Sequence, residues 1–165
     1  MMYLLDTNVF IEAKNRYYAF DLAPGFWEWL ETNSAAGVIS SIDEVNSELL
    51  RGGDELAHWA KTHPDVFASA DAKTVAKLTE LAQWANDGHF TQSAVADFLS
   101  AADFYLVAHA AAHEHIVVTH EGYQQNARKR VLIPNACHAL GVSYCTTFEM
   151  LRECQVRLTL DVSHP

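Results

Sequence analysis

The chain has 165 residues, of which 21 are acidic and 11 basic, giving a formal net charge of −10 at pH 7, and half of it is hydrophobic. That length fits one domain of the usual ~100–200 residues, and the apolar fraction excludes an intrinsically disordered chain. The negative balance excludes a general electrostatic nucleic-acid binder, because phosphate repels a net anion.

Residues 2–5 form a short apolar run that meets Asp6 at once, which reads as a buried strand entering a loop and leaves no room for a secretory leader. No run of about 18 apolar residues occurs, so no membrane span is expected. Pro24-Gly25 precedes FWEWL (26–30), a short helix with Pro at its start. GVIS (37–40) is the second candidate strand. Ser41 or Asp43 would cap a helix to about Leu50 that Gly52-Gly53 stops. Asp54 would cap the next helix, which ends at Pro64, and 71–86 carries apolar residues at helical spacing until Asp87-Gly88. Alanine-rich 100–112 reads as a buried helix, and HIVVT (115–119) as the clearest strand. Residues 131–133 read as a further strand, Pro134 to Leu140 as a helix ended by Gly141, 142–144 as a last strand, and Thr146 or Thr147 as the cap of a final helix. Cys137, Cys145 and Cys154 are odd in number and lack a Cys-x-x-Cys pair, so neither a disulfide framework nor a thiolate zinc site is expected, and the protein reads as cytoplasmic and reduced.

Apolar strands alternating with helices imply an α/β fold with a parallel sheet covered on both faces, where sites form beyond the carboxyl ends of the strands. The acids at those ends matter most. Asp6 follows the first strand, Glu44 and Glu48 share a helix face after the second, and Glu121 follows HIVVT by two residues. Asp103 sits in an otherwise apolar helix, where an unpartnered carboxylate is costly. Each acid alone reads as a cap or a solvated surface group. Together they converge, and converging carboxylates stay protonated or need a cation. All-oxygen ligation suits Mg²⁺ or Mn²⁺, which promote phosphodiester hydrolysis.

These residues resemble a PIN domain of the VapC-like ribonuclease kind, in a branch of uncharacterised function. LLDTN resembles the family's opening motif, VNSELL its V-x-x-E-L helix, AADFYLVAHA its A-D-x-x-L-x-x-x-A helix, and VVTHE its T-x-D strand end. The resemblance spans residues 1–165 as a single PIN-like domain with a helical insertion at about 53–97. It implies a three-layer α/β/α sandwich with a parallel central sheet. It assigns Asp6, Glu48, Asp103 and Glu121 to the metal, with Thr7, Asn8 and Thr119 orienting carboxylates or water. It implies a Mg²⁺- or Mn²⁺-dependent ribonuclease leaving a 5′-phosphate, the toxin of a toxin–antitoxin pair, with an antitoxin partner and a homodimer. Two departures stand out: the last acid is Glu rather than Asp, and Glu44 competes with Glu48, with the motif alignment favouring Glu48. The alternatives are a phosphatase of the haloacid dehalogenase kind, which places an acid where this chain has Asn8, and a non-catalytic PIN scaffold acting by protein binding.

Six of the eleven basic residues, Lys14, Arg16, Arg51, Arg128, Lys129 and Arg130, lie near the motif-bearing loops and are expected to meet RNA phosphates. Tyr17, Tyr18 and Tyr123 would stack on bases or pack under loops. His109 and His113 have i,i+4 spacing, but Ala110 stands where the H-E-x-x-H zinc motif needs Glu, so a native zinc site is not expected.

Overall fold

Leu4 and Leu5 of β1 (Tyr3–Leu5) are both fully buried, as a strand covered on both faces requires. The computed structural model describes residues 1–160. After β1 come α1 (Thr7–Glu12), a π turn (Ala13–Tyr17), α2 (Pro24–Ala35), β2 (Ile39–Ile42), α3 (Asp43–Leu50) and α4 (Glu55–Thr62). A 3₁₀ turn (Pro64–Val66) leads to β3 (Phe67–Ala68), then α5 (Ala72–Asp87), α6 (Gln92–Ser100) and α7 (Ala102–His113). The chain closes with β4 (Ile116–Val118), α8 (Ile133–Leu140), β5 (Tyr144–Cys145) and α9 (Thr147–Glu153).

The sheet runs β3-β2-β1-β4-β5 with every neighbour parallel. Leu4 lies between Ser40 of β2 and Val117 of β4, which sets the register of the three inner strands. The chain steps outward from β1 to β3, then crosses to β4 on the other side. The crevice between β1 and β4 is therefore the topological switch point, where ligands bind in open α/β sheets. With helices on both faces, this is the expected three-layer α/β/α sandwich. Ser41 and Ser40, buried in β2, donate to the carbonyls of Leu5 (2.7 Å) and Val66 (3.0 Å), so the strand carries no unsatisfied hydroxyl.

Local chemistry explains most boundaries. Asp54, Asp71 and Thr91 each accept the N–H three residues on, starting α4, α5 and α6. Thr146 and Glu149 form a capping box at α9. The second strand begins at Ile39, two residues later than expected, because Gly37 at φ +72° ends α2. The Gly37 and Val38 N–H groups close that helix on the Ser34 and Asn33 carbonyls. Helix α3 has no side-chain cap: Asp43 is already helical and Ser41 lies inside β2. Residues 131–133 are buried but form no strand. Ile133 is the first residue of α8, Pro134 follows it in the first turn, and the Ile133 N–H is taken by a carboxylate rather than a neighbouring strand. Among the described residues, no single helix is long and apolar enough to cross a membrane.

At the amino ends of the strands, three imidazoles gather. The ring centres of His109 and His113 are 4.6 Å apart, and His115 lies 5.7 Å from His113 and accepts the Met2 N–H at 3.2 Å. Burial, then His109, His113 and the N-terminal ammonium, hold the His115 imidazole down at about 4. A base depressed in the folded state gives stability that is full above its unfolded value of ~6.5 and is lost as pH falls toward 4. His115→Gln is expected to remove part of the stability lost between about pH 7 and pH 5. The difference is on the order of 1 kcal/mol once solvent screening of this half-buried ring is allowed for, read by urea unfolding at both pH values.

Candidate active site

β1 and β4 place Asp6. Its N–H donates to the Val118 carbonyl at 3.1 Å, and its side chain is 1% exposed. It occupies the N-cap position of α1, yet its carboxylate caps nothing. The Thr119 hydroxyl approaches at a long 3.4 Å. Burial, then the charges of Asp103 and Glu121, push the Asp6 carboxyl well above its ordinary value, against the Thr7 N–H and the Thr119 hydroxyl.

Asp103 stands in the first turn of α7 but does not cap it either. Burial, then Glu121 and Glu48, raise its carboxyl to about 6, while Arg130 and its own N–H pull the other way. Glu48 supplies the missing cap: Oε1 accepts the Ala102 N–H at 3.1 Å, and Oε2 accepts the Thr7 hydroxyl at 2.6 Å. Glu121 is held similarly. Its Oε2 accepts the Ile133 N–H at 2.8 Å, starting α8, its Oε1 pairs with Arg130, and its own N–H donates to Thr119 Oγ1 at 3.2 Å.

The four acids thus fall into an inner pair, Asp6 and Asp103, with few partners, and an outer pair, Glu48 and Glu121, anchored to helix starts. Glu44 makes no hydrogen bond among the described residues and is absent from the charges acting on Asp6 or Asp103. Among the described residues, no three Asp, Glu, His or Cys side chains stand as ready ligands around one point. The chemistry of the donor set nevertheless fits a hard cation. The donors are all oxygens, and two carboxyls are raised by burial and by neighbouring carboxylates, which Arg130 offsets only in part at Asp103.

Thr7 and Thr119 are buried within this cluster, whereas Asn8 is exposed and its side chain makes no hydrogen bond among the described residues. The basic residues divide. Lys14 pairs with Asp54 at 2.7 Å and Arg16 with Glu12 at 3.3 Å. Arg128 donates to the His89 carbonyl at 3.3 Å. Arg51 and Lys129 are exposed. Tyr18 stacks on Phe26 at 4.3 Å, which is packing, while Tyr17 and Tyr123 are about half exposed. Sequence reasoning passed over Asp97. It lines a cavity of about 180 Å³ together with Asp103, Lys129 and Arg130. Nothing in the pattern signals it, because the cavity depends on a break between α6 and α7.

The five-strand parallel sheet with helices on both faces has a VapC-like PIN fold, shown by its likeness to a solved structure. The chain belongs to the family described as a domain of unknown function, DUF4411, whose model matches residues 3–158. It is similar in structure to VapBC2 from Rickettsia felis, solved bound to a DNA fragment from their promoter. The TM-score is 0.53 at 17% identity over 88% of this chain and 98% of the other. No curated protein matches the sequence.

Proposed function

We propose that the chain is a Mg²⁺- or Mn²⁺-dependent endoribonuclease and the toxin of a toxin–antitoxin pair. One observation carries this reading: Asp6 and Asp103, two carboxyls raised by burial and by nearby carboxylates, sit at the switch point with little to neutralise them. The likeness to a VapBC2 structure supports an antitoxin partner. A divalent ion bound here would polarise a phosphoryl oxygen and lower the pKa of a water molecule, which is hydrolytic phosphodiester chemistry. Asp6 and Asp103 would hold it, and Glu48 and Glu121 would act directly or through water. The Thr7 hydroxyl fixes Glu48, and Thr119 joins Asp6 to the Glu121 main chain. Lys129 and Arg130 supply positive charge for a phosphate on a chain that otherwise repels RNA.

Purified protein is expected to cleave single-stranded RNA with Mn²⁺ or Mg²⁺, to stop on addition of EDTA, and to leave a simple phosphomonoester intact. RNA that stays intact with either ion would overturn the nuclease reading, and phosphomonoester hydrolysis would move it to the phosphatase class. Salt is expected to weaken cleavage only mildly, because few cations hold the substrate and the salt slope grows with the number of phosphate contacts.

Among the described residues, Arg130 is the cation that acts on Asp103 and also pairs with Glu121. Its removal leaves the cluster more negative. Arg130→Gln is expected to tighten Mn²⁺ binding about tenfold in calorimetric titration while weakening RNA binding. Looser Mn²⁺ binding in the variant would show that Arg130 organises the acids rather than competing with the ion.

A further inference from the structure

We infer that the cavity beside Asp103 is a subsite for one unpaired cytidine of the RNA, next to the cleaved phosphodiester. The inference rests on the nuclease reading and extends it to the substrate. It starts from the helix break. Residues 92–113 are apolar enough to run on as one helix, but Ala101 is extended (φ −93°, ψ 158°), and α6 and α7 meet at 68°. The bend opens a space whose apolar floor includes Ala94 and Phe98 of α6 and which Asp103 of α7 also lines. Lys129 and Arg130 supply a wall from another segment of the chain. That wall is fastened to the start of α6: the Thr91 N–H donates to the Arg128 carbonyl at 2.9 Å, and Arg128 Nε donates to the His89 carbonyl. The helical insertion, which the nuclease chemistry leaves without a task, therefore builds half of this space.

Size and polarity select the occupant. The cavity holds about 180 Å³. Drug-sized ligands need ~300–1,000 Å³, whereas a cavity of ~150 Å³ accepts benzene, so the space suits a single six-membered ring better than a fused purine. The floor is apolar and suits a ring. The two cations suit the phosphate attached to it. Of the two carboxylates that line it, Asp97 is the one outside the candidate metal site, an acceptor for an exocyclic amino group. Cytosine offers that amino group, while uracil offers a carbonyl that the carboxylate repels. Unpaired bases are read in this way, by ring packing and the Watson–Crick edge.

The test uses 5′-CMP and 5′-UMP titrated into the full chain without metal and followed by amide NMR. Cleavage of an RNA series in which one cytidine is changed in turn to the other bases completes it. CMP is expected to shift the amides of α6 and of residues 128–131 and to bind at least about fivefold more tightly than UMP. Cleavage next to cytidine is expected to exceed cleavage next to uridine by a similar factor. Asp97→Asn, an exposed change that keeps Mn²⁺ affinity, is expected to erase both differences. Equal CMP and UMP binding, or a base preference unaltered in Asp97→Asn while wild type still cleaves, overturns the subsite and leaves the nuclease standing. CMP binding at α6 with no metal-dependent cleavage overturns the nuclease reading and the role given to the cytidine.

Discussion

Asp6→Asn is expected to lower metal-dependent RNA cleavage about a thousandfold and, in the absence of metal, to make the protein more stable at neutral pH. The two effects have one cause. The Asp6 carboxyl is raised by burial and by Asp103 and Glu121, so ionising it costs more in the folded chain than in the unfolded one. A raised acid binds its proton more tightly in the folded state. Its contribution is therefore most favourable below the unfolded value of ~3.9 and is lost as pH rises through the folded value. Asp103 behaves alike, with its window running up to about 6. A shift of that size is worth on the order of 2–3 kcal/mol. Asparagine is nearly isosteric and cannot ionise, so it removes the penalty at Asp6. Urea unfolding at about pH 7.5, with and without Mn²⁺, reads both consequences. Wild type gains stability on adding Mn²⁺, whereas the variant starts higher and gains little. A variant that cleaves like wild type would sink the site, and one less stable without metal would show the carboxylate to be structurally paired.

The acids of the candidate site are easier to read in the sequence than the element boundaries around them. Each strand-following acid was visible because a short apolar run ends on it, and the caps Asp54 and Asp71 and the stop at Gly141 follow from local chemistry. The elements that differ share a physical cause. The helix expected from 100 starts at Ala102, where a carboxylate 54 residues earlier accepts the first N–H, while α6 (Gln92–Ser100) has no counterpart in the sequence reading. Residues 131–133 have strand composition, yet Glu121 takes the Ile133 N–H and starts a helix. In both cases an acid of the candidate site holds the first N–H of a helix, a partnership no local pattern shows. β3 escaped notice for a simpler reason: with two residues it is too short for any period to register. The choice between Glu44 and Glu48 was also open to local reading, since both share one face of α3. The motif alignment favours Glu48, and the folded chain gives that residue two partners.

That separation leads to the second large effect. Glu48→Ala is expected to lower cleavage by about a hundredfold or more and to destabilise the fold by about 1–3 kcal/mol, whereas Glu44→Ala changes stability by less than about 0.5 kcal/mol. Glu48 bridges two elements: its oxygens hold the first N–H of α7 at 3.1 Å and the hydroxyl of buried Thr7 at 2.6 Å. Truncation leaves both groups without their acceptor, and the Ala102 residue is itself buried. It also unfixes the start of α7, the element that carries Asp103 one residue later, so the inner pair loses its spacing. Glu48→Gln divides the two roles. Its amide carbonyl can still accept the Ala102 N–H, so most of the stability remains, while the negative charge facing Asp103 is gone. In this variant the Asp103 carboxyl moves back toward its ordinary value, because Glu48 is one of the charges that raise it. Cleavage in Glu48→Gln is then expected to fall nearly as far as in Glu48→Ala, with an unfolding midpoint close to wild type. If Glu48→Gln keeps full cleavage, Glu48 serves α7 alone and the cation site reduces to Asp6, Asp103 and Glu121.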